Sequence, residues 1–152
     1  MVESNPVRGF RGYIASRPVN GVPYPHRVQN LVIRDYCQRK GLHYLLSAAE
    51  TSIPNGFMIL NDVLAELDKL SGIVLFSQFL LPASRQERAR IYDLVLAKGA
   101  SLHAALEETA ISRPGDIGVF EEVLRLAPVL ASTPYGGRFP AEAPTPDVFK
   151  TS

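Results

Sequence analysis

The period of the apolar positions changes several times along this chain, and each change marks an element. Gly9 to Ser16 reads as a first strand, with aromatic and β-branched residues gathered toward its end. Arg17 to Pro25 holds Pro18, Gly21, Pro23 and Pro25, a composition that predicts irregular chain. From His26 to Lys40, the residues Val28, Leu31, Val32, Ile33, Tyr36 and Cys37 recur at helical spacing. Pro25 suits the first turn of that helix and Gly41 its stop. His43 to Ala48 makes a second strand. After the turn signals Pro54, Asn55 and Gly56, the run Met58 to Leu70 predicts a second helix. Gly72 to Ser77 is continuously apolar until its last residue, as expected of a strand buried on both faces. Ser84 to Lys98 predicts a third helix, with Ser84 and Glu87 at capping-box spacing. Gly99 ends it, Ser101 to Leu106 is a fourth strand, and Asp116 to Leu126 is a last short helix.

This alternation predicts an α/β domain over residues 9–126, three layers thick, with a mainly parallel four-stranded sheet. Residues 1–8 read as an irregular lead-in. Residues 127–152 read as a proline- and glycine-rich tail, in which Tyr135, Phe139 and Phe149 offer anchors for wrapping over the domain or over a partner subunit. Ligands of open parallel sheets gather at the carboxyl ends of the strands, where strand order reverses. If strand one is central, that point lies between strands one and three, with Arg17 facing Ser77 and Gln78 across a crevice.

Composition narrows the function classes. The chain has 152 residues, 46 % of them hydrophobic, with a formal net charge of +1. That balance disfavours a duplex-binding domain, which carries a basic face. The longest uncharged apolar stretch falls well short of the roughly 20 residues needed to span a bilayer. Residues 1–6 look like neither a signal nor a transit peptide, so a cytoplasmic location and no membrane partner are expected. Cys37 is the single cysteine; among apolar helical neighbours it reads as a packing residue, since a reactive thiolate needs an electropositive, accessible setting.

The candidate chemistry sits at the strand ends. Ser16 and Arg17 close the first strand, and Arg17 reads either as an anion clamp or as a surface arginine beside a turn serine. His26 and Arg27 open the first helix, where free N–H groups favour an anion, and Asn30 lies one turn on. Glu50 and Glu107 follow strands two and four. With His103, inside strand four, they are the candidate acid/base groups; two also have a plain structural reading, His103 as a hydrogen-bonded core residue and Glu107 as part of a helix-start pair. Ser77 and Gln78 end strand three as a polar pair suited to substrate hydrogen bonds. Arg85 is the arginine of helix three nearest the crevice, on a helix whose charges otherwise read as a solvated face. The histidines at 26, 43 and 103 are scattered singly, without metal-ligand spacing, and no glycine-rich phosphate loop is present.

Several strings resemble known families. Gly12-Tyr13-Ile14-Ala15-Ser16-Arg17 is similar to the opening strand of the serine recombinase (resolvase) catalytic domain, and Gln29 falls where that family has a glutamine. Gly72–Ser77, Gly99-Ala100-Ser101-Leu102 and Glu107 continue the similarity, which covers residues 11–108 and implies a resolvase-like or flavodoxin-like fold. The departures tell against recombination. Ser16 directly precedes Arg17, and Ser77-Gln78-Phe79-Leu80-Leu81 stands where the family carries its arginines, so transition-state charge would go unstabilised. Gly12-Tyr13-Ile14, Ser16-Arg17-Pro18, Asn20-Gly21-Val22, Arg27 to Cys37 and Ser101 to Glu107 resemble the sporadic carbohydrate cluster family of short bacterial proteins, over nearly the whole domain. That resemblance implies a setting in sugar or glycan biosynthesis.

Two functions follow as expectations. One is a small enzyme without redox cofactor or metal, acting on a nucleotide-linked or phosphorylated sugar by epimerisation, isomerisation or cyclisation. Glu50, His103 and Glu107 would move protons while Arg17, His26 and Arg27 hold the anion. The other is a non-catalytic scaffold binding a ligand or partner. A homo-oligomer is expected in either case, with Phe79, Leu80 and Leu81 as exposed contact positions and no DNA partner.

Overall fold

A computed structural model describes residues 8–51 and 56–132, the last six for their backbone alone. The chain divides into two compact units, Met1–Ile117 and Gly118–Ser152. In the first unit the elements are β1 (Phe10–Ala15), α1 (His26–Lys40), β2 (Tyr44–Glu50), α2 (Met58–Leu64), β3 (Gly72–Leu75), α3 (Arg85–Ala97), β4 (Ser101–Ala104) and β5 (Thr109–Ile111). The sheet has five strands, not four, in the order β2-β1-β3-β4-β5. The first four are parallel, and β5 runs antiparallel to β4, with His103 opposite Ala110. The fifth strand escapes a sequence reading because it is three residues long, too short to show alternation.

Strand order reverses between β1 and β3, which pair directly, Tyr13 opposite Leu75. Successive side chains of β1 alternate faces. Phe10 packs edge-on against His103, whose imidazole meets Tyr36 of α1, so α1 covers that face. Arg11 and Tyr13 point the other way, Arg11 to Glu66 just past α2, and α2 packs on both β2 and α3. β3 is buried at every position, as its continuous apolar run predicts, and Tyr13, Ile33, Leu75, Phe76, Tyr92 and Val95 fill the core.

Four features differ from expectation. The second helix stops at Leu64, and the predicted remainder becomes a short 3-10 turn, Leu67–Lys69. On α1 the buried stripe is Gln29, Ile33, Tyr36 and Cys37, while Leu31 is exposed; a polar residue holds the position at which an apolar one would reveal the face. The segment after β1 is not irregular throughout. Val19 and Val22 exchange backbone hydrogen bonds of 2.9 and 3.0 Å across Asn20 and Gly21, both at positive φ (52° and 82°). Asn-Gly between two β-branched residues is the sequence signal for such a turn. Finally α4 runs from Ile117 to Ser132, past the expected stop at Leu126; from Gly118 on it is the described part of the second unit. Residues 133–152, with the tail aromatics, lie outside the described residues.

Candidate functional site at the carboxyl edge of the sheet

Past the carboxyl ends of β1 and β2, on the face that carries α2 and α3, lies a cavity of about 910 Å³. Its wall combines Arg17, Glu50, Glu87 and Arg90 with the apolar Phe57, Phe79 and Ile91. Arg17 anchors this wall. Its guanidinium donates to the carbonyls of Gly56 (2.9 Å) and Leu80 (2.6 Å) and to Tyr13 Oη (2.9 Å), and it lies 4.5 Å over the Phe57 ring. Among the described residues no carboxylate pairs with it directly. Its charge reaches Glu50 only through Tyr13, whose hydroxyl donates to Glu50 Oε1 at 2.7 Å. Burial pushes the Tyr13 phenol well above its ordinary range; the Arg17 hydrogen bond opposes that rise and the Glu50 carboxylate adds to it. Tyr13 is therefore a neutral donor between a cation and an anion. Glu50 also accepts from the backbone N–H groups of Ile59 (2.9 Å) and Leu60 (3.2 Å), which fastens β2 to α2.

The sequence candidates divide into five places. Ser16, Arg17 and Glu50 border the cavity, and His26 joins them through a 3.1 Å contact between its Nε2 and Ser16 Oγ. Arg27 is exposed on α1, and Asn30 is half-buried with its Oδ1 unpartnered. Arg85 is exposed at the start of α3 but outside the cavity wall, where Glu87 and Arg90 take part instead. Ser77 and Gln78 turn away from Arg17. Ser77 Oγ donates to Glu107 Oε2 (2.6 Å), the Gln78 N–H to Glu107 Oε1 (3.0 Å), and Thr109 Oγ1 to Gln78 Oε1 (2.8 Å). Glu107 thus ties the end of β3 to the β4–β5 connection. What faces Arg17 across the crevice is the Leu80 carbonyl.

His103 is remote from this cavity, on the α1 face of the sheet. Its Nδ1 meets Tyr36 Oη and its Nε2 meets Ser101 Oγ, each at 2.9 Å, and burial lowers its pKa to about 4. The three expected acid/base groups are therefore not brought together; Glu50 alone reaches the cavity. The expected exposure of Leu80 and Leu81 is also overturned, since both are buried beneath the turn after β3. Cys37 is buried, and burial raises its thiol to about 11, as its apolar neighbours predict.

Sequence reasoning missed Tyr13, Phe57 and Arg90. Tyr13 reads as an ordinary strand aromatic, and only the pairing of Ala15 with Glu50 brings its hydroxyl to the carboxylate. Phe57 and Arg90 belong to elements far apart in sequence. No His/Cys/Asp/Glu group able to hold a metal ion occurs among the described residues, and no described helix is long and apolar enough to cross a membrane. Compared with protein-family models, curated proteins and solved structures, the chain matches none of them.

Proposed function

We propose that the chain binds an anionic sugar derivative, phosphorylated or nucleotide-linked, in the cavity at the carboxyl edge, and acts on it by proton transfer. The carrying observation is Arg17: a half-buried cation, oriented by three acceptors and an aromatic face, in the wall of a cavity and with no direct carboxylate partner among the described residues. A cation so oriented is preorganised to receive an anion. Phe57 and Phe79 suit the flat face of a sugar or base. Glu50 is the acid/base group of this reading, with Tyr13 as its hydrogen-bonded neighbour. The resemblance to the sporadic carbohydrate cluster family supports the sugar. The strand order and the placing of helices on both faces support a flavodoxin-like or resolvase-like descent.

The three donors on Glu50 favour a second reading, a non-catalytic binding scaffold, because they give this carboxylate a structural task as well. Either form is proposed to act as a homo-oligomer, supported by exposed Leu31 on α1 and Leu46 on the edge strand β2; sedimentation velocity counts the subunits.

The test is thermal stability against nucleotide sugars, nucleotides and sugar phosphates. A true ligand at about 100 times its Kd adds about 2.7 kcal/mol. Arg90→Ala should weaken the shift while leaving the unliganded midpoint nearly unchanged, because the contacts of Arg90 among the described residues are exposed. Deuterium uptake from D2O into the bound sugar, lost in Glu50→Gln, marks proton transfer; a shift with no uptake selects the scaffold. A panel without any shift overturns the proposal.

A further inference from the structure

We propose that Ser16 and His26 form a nucleophile–base pair that cleaves a carboxylic ester at the rim of the cavity. Ser16 is exposed at the end of β1 and borders the cavity, with its Oγ 3.1 Å from Nε2 of the half-buried His26, the first residue of α1. A serine hydroxyl within hydrogen-bond reach of an imidazole nitrogen is the arrangement that activates a serine.

The pair is held from beneath. Gln29 is 1 % exposed, and its amide grips Ala15 at both backbone atoms, accepting from the N–H (3.1 Å) and donating to the carbonyl (2.7 Å). The same amide nitrogen donates to the Tyr24 carbonyl at 2.9 Å, two residues before His26. The Ser16 N–H is fixed in turn on the Glu50 carbonyl at 3.0 Å. One buried side chain therefore sets both the strand end that carries the nucleophile and the approach to the helix that carries the base. Gln29 is a positioning residue. The hydroxyl that it positions is open to solvent, so the Ser16–His26 bond satisfies no buried group and does not fill the core.

The surroundings favour a carbonyl over a phosphoryl electrophile. Phosphoryl transfer spreads charge over three oxygens that need several cations, whereas the neighbouring Arg17 holds three of its five N–H donors on Tyr13, Gly56 and Leu80, which leaves two, enough to hold an anion but not to replace several cations. Phe57, Phe79, Leu81 and Ile91 give the cavity an apolar wall suited to an acyl group. In the step, Ser16 Oγ bonds to the carbonyl carbon as its proton passes to His26 Nε2. The bond from carbon to the ester oxygen breaks, and the alcohol leaves with that proton. Water, deprotonated by His26, then attacks the seryl ester, releasing the carboxylic acid and restoring Ser16. That the alcohol is the anionic sugar rests on the reading above; the nucleophile–base pair does not.

The experiment treats the full chain with diisopropyl fluorophosphate and, separately, with 4-nitrophenyl acetate. Expected are one adduct per chain, mapped to Ser16, and a nitrophenolate burst of one equivalent, both lost in Ser16→Ala. His26→Ala should slow labelling about 100-fold or more, and added imidazole should restore it, which a purely structural histidine would not allow. Far-UV circular dichroism checks that both variants fold, as the exposure of Ser16 leads one to expect. No adduct, an adduct elsewhere, or an unchanged rate in folded His26→Ala overturns the pair. Labelling of Ser16 with no thermal shift from any sugar keeps the pair and overturns the sugar; a shift without labelling does the reverse.

Discussion

His103 shows how residue type and residue role come apart. In the sequence it is a titratable group among small and apolar residues inside a strand. In the structure Tyr36 and Ser101 occupy its two nitrogens, and Phe10 and Tyr36 pack edge-on against its ring. Burial, aided by Lys40, lowers its pKa from 6.5 to about 4. Between those values the unfolded chain binds more protons than the folded one, so stability rises with pH. The contribution is full above about 6.5 and is lost as pH falls toward 4. Urea unfolding should show His103 responsible for about 3 kcal/mol of the stability difference between the ends of that window. In His103→Gln this part of the pH slope should flatten.

At the scale of elements, close backbone approach governs β3. A Cβ on Gly72 would stand 2.1 Å from the Ser101 carbonyl and 2.7 Å from the Phe10 ring, and the first of these is backbone that cannot swing aside. Gly72→Ala should cost about 2 kcal/mol or more, seen as a lowered denaturant midpoint. The glycine is visible in the sequence as a strand's first residue, but its neighbours come from β1 and β4. Gln29 teaches the same lesson on α1. Gln29→Ala would leave the buried backbone of Ala15 without partners, a loss of about 1–3 kcal/mol by thermal unfolding. Helical periodicity in apolar residues alone cannot locate such a contact, because the residue that makes it is polar.

Across the whole molecule, the carboxyl edge of the sheet holds two polar groups with separate tasks. Arg17, Tyr13 and Glu50 stand at the cavity on the β2 side, while Ser77, Gln78, Glu107 and Thr109 bind one another near β4 and β5. Glu107→Ala should therefore lower the unliganded midpoint, at a cost of about 1–3 kcal/mol, and leave the ligand-induced shift intact. Arg90→Ala should have the opposite profile. Thermal scans of both variants with and without ligand test the division. Equal loss of the ligand shift in both would join the two groups into one site.

By itself the sequence determined the alternation of strands and helices, the buried third strand, the Gly41 stop of α1, the Ser84 cap of α3 and the packing role of Cys37. These follow from local periodicity, turn chemistry and apolar neighbours, all of which act within a few residues. It also placed Ser16, Arg17 and Glu50 at strand ends. The tertiary structure alone decided which strand ends share a cavity and which face of the sheet each side chain meets. It withdrew His103 to the opposite face and turned Ser77 and Gln78 toward Glu107, while Tyr13 and Phe57 came to Arg17. Strand order and pairing register set those meetings, and both depend on contacts between residues tens of positions apart, which no local pattern carries.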